Sequence, residues 1–370
     1  DYAGTWHTYN VTVAPNGAEK IGGVNASVTL STEGQSVTLV YVDSTQGWLN
    51  TMDSTSNVRG SAFITATVSG ACNTLTTVDT DYKVATFVGP GTFCVSAGAG
   101  ALAKADYLVL AGGGSGGWRY HGGGGGAGGY RESKCTTVSG CWTASPIASA
   151  TSLTIGPGAH SVTVGAGGAE AVCAGGGGHN NGVNSIFSTI TSTGGGGGGS
   201  AAGTPIPEHA GQPGGSGGGG NEAPSPPGPD APSFVGIGNT PPVVPSQGFN
   251  GGAYSGPPGE GGGGGGAGGT GIAGSPSAGG TGGGGQPSDI TGTPIARGGG
   301  GGGAGYYSPG GAGGAGGGGA GTHGGTSNGT AGTAQLGGGG GGGERASTGH
   351  PSCSGWAGGS GIVVIRYKFQ

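Results

Sequence analysis

Blocks of nearly uninterrupted glycine decide what this chain can fold into. They recur at residues 122–126, 194–199, 261–266, 298–303 and 337–343, within a region from about residue 112 to 361. Of 370 residues 106 are glycine, and nearly all lie there. Glycine loses more backbone entropy on folding than any other residue and has no side chain to bury. Composition alone therefore points to a flexible linker. Three features point the other way. The breaks between blocks are not Gly/Ser spacers but carry Trp118, Tyr120, Phe187, Phe234, Phe249, Tyr254, Tyr306, Tyr307 and Trp356. Charged residues make up 7% of the chain, fewer than disordered segments carry. Strand patterns close the region at both ends, at Tyr107-Leu-Val-Leu-Ala111 and Ile362-Val-Val-Ile-Arg-Tyr-Lys-Phe369.

Collagen is excluded, because the blocks have no Gly-X-Y period. One ordered state remains: extended, threefold polyglycine-II helices packed side by side. Such a helix has no internal hydrogen bonds, so its N–H and C=O groups must bond its neighbours. Without Cβ atoms, neighbouring backbones approach closely enough to do so. A block of about eight residues at ~3.1 Å each spans ~25 Å. The expected object is a short slab, with the non-glycine breaks as turns at its two ends.

The remainder reads as β-structure with essentially no α-helix, in three parts: residues 1–56, residues 57–111, and a glycine-rich domain at 112–370 closed by a C-terminal strand. Apolar residues alternate with Thr and Ser at 11–13, 26–30 and 36–42, and strands follow at 63–68, 82–88, 92–96 and 107–110. Gly89-Pro-Gly91 and Gly156-Pro-Gly158 are expected to be hairpin turns. The first 55 residues bury too little surface to stand alone comfortably and need partner chains or the rest of the protein.

Six cysteines, an even number, suit an oxidising or extracellular setting. Cys72 and Cys94 fall on neighbouring strands and are expected to pair, at ~3 kcal/mol for a loop of that length. Cys135 and Cys141 are expected to staple a hairpin tip. Cys173 and Cys353 either tie the start of the slab to its end or remain free thiols. Asp1 reads as an internal start, with no signal peptide and no transmembrane run. A formal net charge of −5 makes no electrostatic case for nucleic acid.

Several motifs resemble a known family. They are Phe63-Ile-Thr-Ala-Thr, Tyr82-Lys-Val-Ala-Thr-Phe-Val-Gly-Pro-Gly-Thr-Phe, Asp106-Tyr-Leu-Val-Leu-Ala-Gly-Gly-Gly, Ser161-Val-Thr-Val-Gly-Ala-Gly-Gly168 and Gly358-Gly-Ser-Gly-Ile-Val-Val-Ile-Arg-Tyr-Lys-Phe369. In this order they are similar to the glycine-rich C-terminal domain of bacteriophage tail fibres and related receptor-binding adhesins, over roughly residues 60–370. The segment Val28 to Tyr41 with Gly47-Trp48 resembles β modules of fibre shafts, which are usually trimeric. The resemblance implies a polyglycine-II sandwich whose end loops read a host surface. It implies a virion tail or extracellular surface-fibre location, with other tail proteins, further copies of the chain and a host-surface protein or glycan as partners. The family's loop sequences do not match, so no contact residue is carried over.

Contact candidates therefore come from chemistry alone. Trp118, Arg119, Tyr120, His121, Trp142, Phe249, Tyr254, Tyr306, Tyr307 and Trp356 offer aromatic or guanidinium surface, which suits sugars and protein surfaces at small entropic cost. The competing reading is that they cap the ends of the slab. Gly112-Gly-Gly-Ser-Gly-Gly117 matches the dinucleotide fingerprint but opens no helix and has no acidic partner downstream. No histidine or cysteine spacing matches a zinc site, and no catalytic set stands out. Asn10, Asn25 and Asn328 stand in glycosylation sequons. The expectation is a non-enzymatic adhesion protein without cofactor or metal, contacting neither nucleic acid nor membrane interior. The alternative is a surface filament polymerising through strands at 11–42 and 361–369. Ice binding would need a flat, regular Thr/Ser/Ala face, which the irregular loops do not suggest.

Overall fold

The computed structural model describes residues 1–53, 63–98, 102–135, 139–172, 179–200, 210–221, 234–255, 259–306, 308–324, 328–344 and 354–370. Among them there is no α-helix. The chain forms two compact units, Asp1–Phe63 with Gly98–Ala103, and Ile64–Ala97 with Lys104–Gln370. Of the module expected at residues 57–111, residues 64–97 and 104–111 fall in the same unit as the glycine-rich region, and residues 98–103 in the first.

The first unit consists of two antiparallel pairs. β1 (Val11–Val13) pairs β2 (Val28–Leu30), and β3 (Val37–Asp43) pairs β4 (Gly47–Asp53). Asp1 accepts bonds from the Thr5, Trp6 and Gly34 N–H groups, and Trp48 Nε1 donates to Glu19 at 2.9 Å. Leu30 and Ala103 are its only buried apolar residues among those described. Tyr41, Val42 and Met52 are exposed.

The second unit is built on a β-sandwich. One sheet runs β10 (Tyr130–Glu132), β9 (Lys104–Leu110), β17 (Ile362–Lys368), β7 (Tyr82–Phe87), β6 (Thr74–Val78), with β11 (Leu153–Thr154) also on β9. The other runs β14 (Ile190–Ser192), β13 (Ser185–Phe187), β12 (Gly158–Thr163), β8 (Gly91–Ala97), β5 (Thr65–Val68). A separate pair joins β15 (Gln286–Ser288) to β16 (Ile295–Arg297). Period-two alternation explains β17. Val363, Ile365 and Tyr367 enter the core between the sheets with Phe87, Phe93, Tyr107 and Phe187. Ile362 and Val364 face a second cluster with Leu108, Leu110, Tyr130, Trp142 and Ile290. Both faces are buried, so the strand reads as a continuous apolar run.

Several strands continue directly into glycine. Residues 111–117 leave β9 and residues 122–129 return to β10, so these segments run away from the sandwich and back. Hydrogen bonding along residues 122–129 has a strict period of three. Gly122, Gly125 and Gly128 donate to Gly343, Gly340 and Gly337. Gly123, Gly126 and Gly129 donate to Gly199, Gly196 and Thr193, whereas Gly124 and Ala127 donate to Gly262 and Gly265. The carbonyls accept from three further segments, around 111–117, 216–219 and 301–304. One rod is therefore enclosed by six, each bond 2.7–3.2 Å long. This is the threefold, laterally bonded polyglycine-II arrangement expected from the sequence, but as a concentric bundle rather than a slab.

The six rods around the centre bond outward to others, including 165–171, 271–274, 279–285, 310–315 and 354–361. A Cβ on Gly124 would collide with the Gly301 carbonyl oxygen, and one on Gly125 with those of Gly114 and Ser115. On the outer rods side chains stand where the rod faces away from its neighbours: Ala166, Ala169 and Val172 recur every third residue and are exposed, as are Ala312 and Ala315. The inner rods admit a few small side chains, among them Ser115, Ala127 and Ser216, all buried. Residues 194–199 are met from outside by Gly182 and Gln212, whose N–H groups donate to the Gly195 and Gly197 carbonyls. There the Asn184 and Asn181 side-chain oxygens accept from Gly194 and Gly197 N–H at 2.9 and 2.8 Å.

Four expectations are corrected. Gly89-Pro-Gly91 and Gly156-Pro-Gly158 do not close hairpins. Each carries the chain from one sheet to the other, because Phe87 and Phe93, or Ile155 and Val162, point into one core from opposite sides. The Cys72–Cys94 disulfide is not formed: Cys94 lies opposite Thr67 and Ala159 within its sheet, Cys72 sits in the turn after β5, and both are free, exposed thiols. Cys141 is also a free thiol, so Cys135 and Cys141 do not staple the tip. Cys173 and Cys353 lie outside the described residues. Finally, the C-terminal strand offers no edge, since β17 is flanked by β7 and β9.

Candidate functional site at the far end of the bundle

The turn joining residues 111–117 to 122–129 lies at the end of the bundle remote from the sheets, ~22 Å along the rod at ~3.1 Å per residue. It consists of Trp118, Arg119, Tyr120 and His121. Arg119, Tyr120 and His121 all have positive φ, at 62°, 29° and 53°. Left-handed backbone is costly for residues bearing a Cβ, ~1–3 kcal/mol each where strained. Here three such residues stand in succession.

Surrounding rods bring their own ends to this turn. His121 Nδ1 lies 2.7 Å from Glu260 Oε2. Its ring meets those of Tyr254 at 5.7 Å and Tyr306 at 5.5 Å, and Tyr120 meets Tyr306 edge-on at 6.0 Å. The Arg119 guanidinium sits 5.4 Å from the Tyr120 ring centre and 5.9 Å from that of Trp118. Glu260 is buried and accepts from Tyr306 N–H at 2.7 Å and Ser308 Oγ at 2.8 Å. Glu344, also buried, has its pKa pushed up to about 7, first by desolvation and then by the Glu260 charge. Asn221 Nδ2 donates to the Arg119 carbonyl at 3.3 Å, and Ser200 Oγ accepts from Trp118 N–H at 3.0 Å.

Of the sequence candidates, Arg119, Tyr120, His121, Tyr254 and Tyr306 thus meet in one half-buried cluster. Trp118 lies beneath it, buried against Ala171. Trp356 lies on the side of the bundle, where its carbonyl accepts from Gly116. Trp142 belongs to the sandwich end, packed beside Lys134 and Arg366. Phe249 is half-buried on a rod toward that end, its N–H bonded to Gly266. Tyr307 lies outside the described residues. Asn10, Asn25 and Asn328 are exposed, and the Asn25 amide donates to the Gly17 and Glu19 carbonyls.

Sequence reasoning missed Glu260 and Glu344. Each adjoins a pure glycine block, one just before residue 261 and the other just after 343. A charged residue in that position must fall at a bundle end, and this signal was available.

A second polar cluster lies at the sandwich end. Glu132 accepts from Tyr130 Oη at 3.1 Å, Ser145 N–H at 2.8 Å and the Ser288 hydroxyl. Burial raises the Glu132 pKa and lowers that of buried Arg297. Glu132 is only 2% exposed, and this cluster joins strands and loops. No group of three or more metal-ligating side chains occurs among the described residues, and no helix is long and apolar enough to cross a membrane.

A β-sandwich whose strands run on into laterally bonded glycine rods defines a glycine-rich domain. The chain belongs to the glycine-rich domain family, whose sequence profile matches residues 86–368. No curated protein sequence matches it.

Proposed function

We propose that this chain is a non-enzymatic attachment protein, of the kind carried by bacteriophage tail fibres and adhesins, which presents its far-end loops to a host surface. One observation carries the reading. The bundle interior is backbone bonded to backbone, and Arg119, Tyr120, His121, Tyr254 and Tyr306 gather at the end opposite the sandwich. Rods of this kind are stiff, because lateral bonds hold every residue of the inner segments. The first unit, with little apolar core and only two-stranded pairs, fits assembly with further copies of the chain, since isolated two-stranded pairs are marginal. A virion tail or an extracellular fibre is the setting this reading implies.

The test is adsorption. Labelled full-length protein is mixed with a panel of bacterial cells, and its ability to block adsorption of particles carrying it is measured. Saturable binding that depends on residues 118–121 is expected. Absence of binding to every surface, together with unchanged host range after exchange of the far-end loops, would refute the reading. The filament alternative loses one of its two pairing surfaces with the burial of β17, and retains only the strands of the first unit.

A further inference from the structure

The attachment reading leaves the chemistry of the ligand open, and the far-end turn narrows it. Arg119, Tyr120 and His121 occupy left-handed backbone where glycine would fit without strain. His121 has a local role, since it bonds the buried Glu260. Arg119 has none of that kind. Its guanidinium is half-exposed, rests near two aromatic rings and forms no ion pair among the described residues. The neighbouring carboxylates are turned to other partners: Glu260 takes His121, Tyr306 and Ser308, and Glu344 is buried. A planar, permanently charged fork held against aromatic faces binds carboxylate or phosphate through two parallel hydrogen bonds. The adjoining rings of Tyr120 and Tyr306 offer an apolar face for the C–H side of a sugar.

We propose that Arg119, Tyr120 and Tyr306 form a binding site for an anionic saccharide, Arg119 taking its carboxylate or phosphate and the two tyrosines its ring. This rests on the attachment reading and specifies its ligand.

The test uses a variant that relieves backbone strain. Arg119→Gly removes the guanidinium and relieves the positive φ, so its unfolding midpoint should equal or exceed that of the unaltered chain. Both proteins are applied to an array on which each acidic glycan is printed beside its counterpart lacking the carboxylate or phosphate. The unaltered chain should bind acidic members at least tenfold more strongly than their neutral partners, and Arg119→Gly should lose at least tenfold. Tyr306→Ala should weaken binding to the same glycans. Carboxylated and phosphorylated sets distinguish the two anions. Equal binding of acidic and neutral members, no binding at all, or full binding by Arg119→Gly would overturn the proposal. Cell adsorption separates the two levels: if Arg119→Gly adsorbs as well as the unaltered chain, the anionic saccharide falls and attachment stands. If adsorption depends on protease-sensitive surface protein, the saccharide likewise falls. If the unaltered chain adsorbs to nothing, both fall.

Discussion

Adding one methyl group at the centre of the bundle tests its physics directly. Gly124 donates to Gly262 at 2.9 Å, and its Cα faces the Gly301 carbonyl. In Gly124→Ala the new Cβ would lie inside van der Waals contact with that oxygen, so the rods must separate. Separation loosens the bonds from Gly264 to Gly301 and from Gly301 to Gly125, both 2.8 Å. Overpacking costs ~1–3 kcal/mol, and each buried backbone group left without a partner ~1–3 kcal/mol. The smaller entropy of the unfolded alanine chain returns ~0.4–1 kcal/mol. With one backbone group left unpartnered the net loss is ~1–6 kcal/mol, against the ~5–15 kcal/mol that holds a typical domain folded. Gly284 is the control: it is exposed, its φ is not positive, and a Cβ there meets nothing within 4 Å. Gly284→Ala should therefore stabilise by ~0.4–1 kcal/mol. Urea unfolding of the full chain, followed by tryptophan fluorescence, gives both values. If the two variants fall within ~0.5 kcal/mol of each other, the bundle does not depend on lateral backbone bonding, and the reasoning fails.

Three further outcomes follow from particular residues. Asn181→Ala and Asn184→Ala each leave a glycine N–H of residues 194–199 without its side-chain acceptor, and each should cost ~1–3 kcal/mol in the same urea assay. Glu344 titrates at about 7 in the folded chain against 4.5 as its ordinary value. The folded state then holds a proton that the unfolded state has released, so stability is greatest below 4.5, falls as pH rises toward 7, and levels off above. Melting temperatures between pH 4 and 8, compared with those of Glu344→Gln, should show that slope removed in the variant. Cys72 has φ 61° and a free thiol. Cys72→Gly should be neutral or stabilising by ~0.5–1 kcal/mol, whereas loss of a disulfide would cost ~3 kcal/mol.

How far the chain was legible depended on the range of each interaction. The glycine blocks named their own state, because only backbone-to-backbone bonding satisfies a run without side chains. They also marked their own depth, a signal that becomes visible only against the structure. Residues 122–126, 194–199, 261–266, 298–303 and 337–343 lie in the central rod or in the six around it, where a Cβ added at the block glycines would collide with a neighbouring rod. Rods bearing Ala166, Ala169 and Val172, or Ala312 and Ala315, lie outside them. Strand positions at 82–88 and 92–96 were legible from alternation of apolar and polar residues, and those at 107–110 from a short continuous apolar run.

Partner choice was not legible. A Gly-Pro-Gly turn has the same local chemistry whether it closes a hairpin or crosses between sheets. Only Phe87, Phe93, Ile155 and Val162 meeting in one core decided for crossing. Cysteine parity likewise carried no information about which thiols approach. For the candidate site, residue types pointed to Arg119, Tyr120, His121, Tyr254 and Tyr306, which span almost 190 positions of chain. Their meeting around Glu260, the exclusion of Trp142 and Phe249 from that cluster, and the left-handed backbone of residues 119–121 were decided by the bundle. The rods fix which ends lie together, and glycine, having no side chain, carries no address for its neighbour.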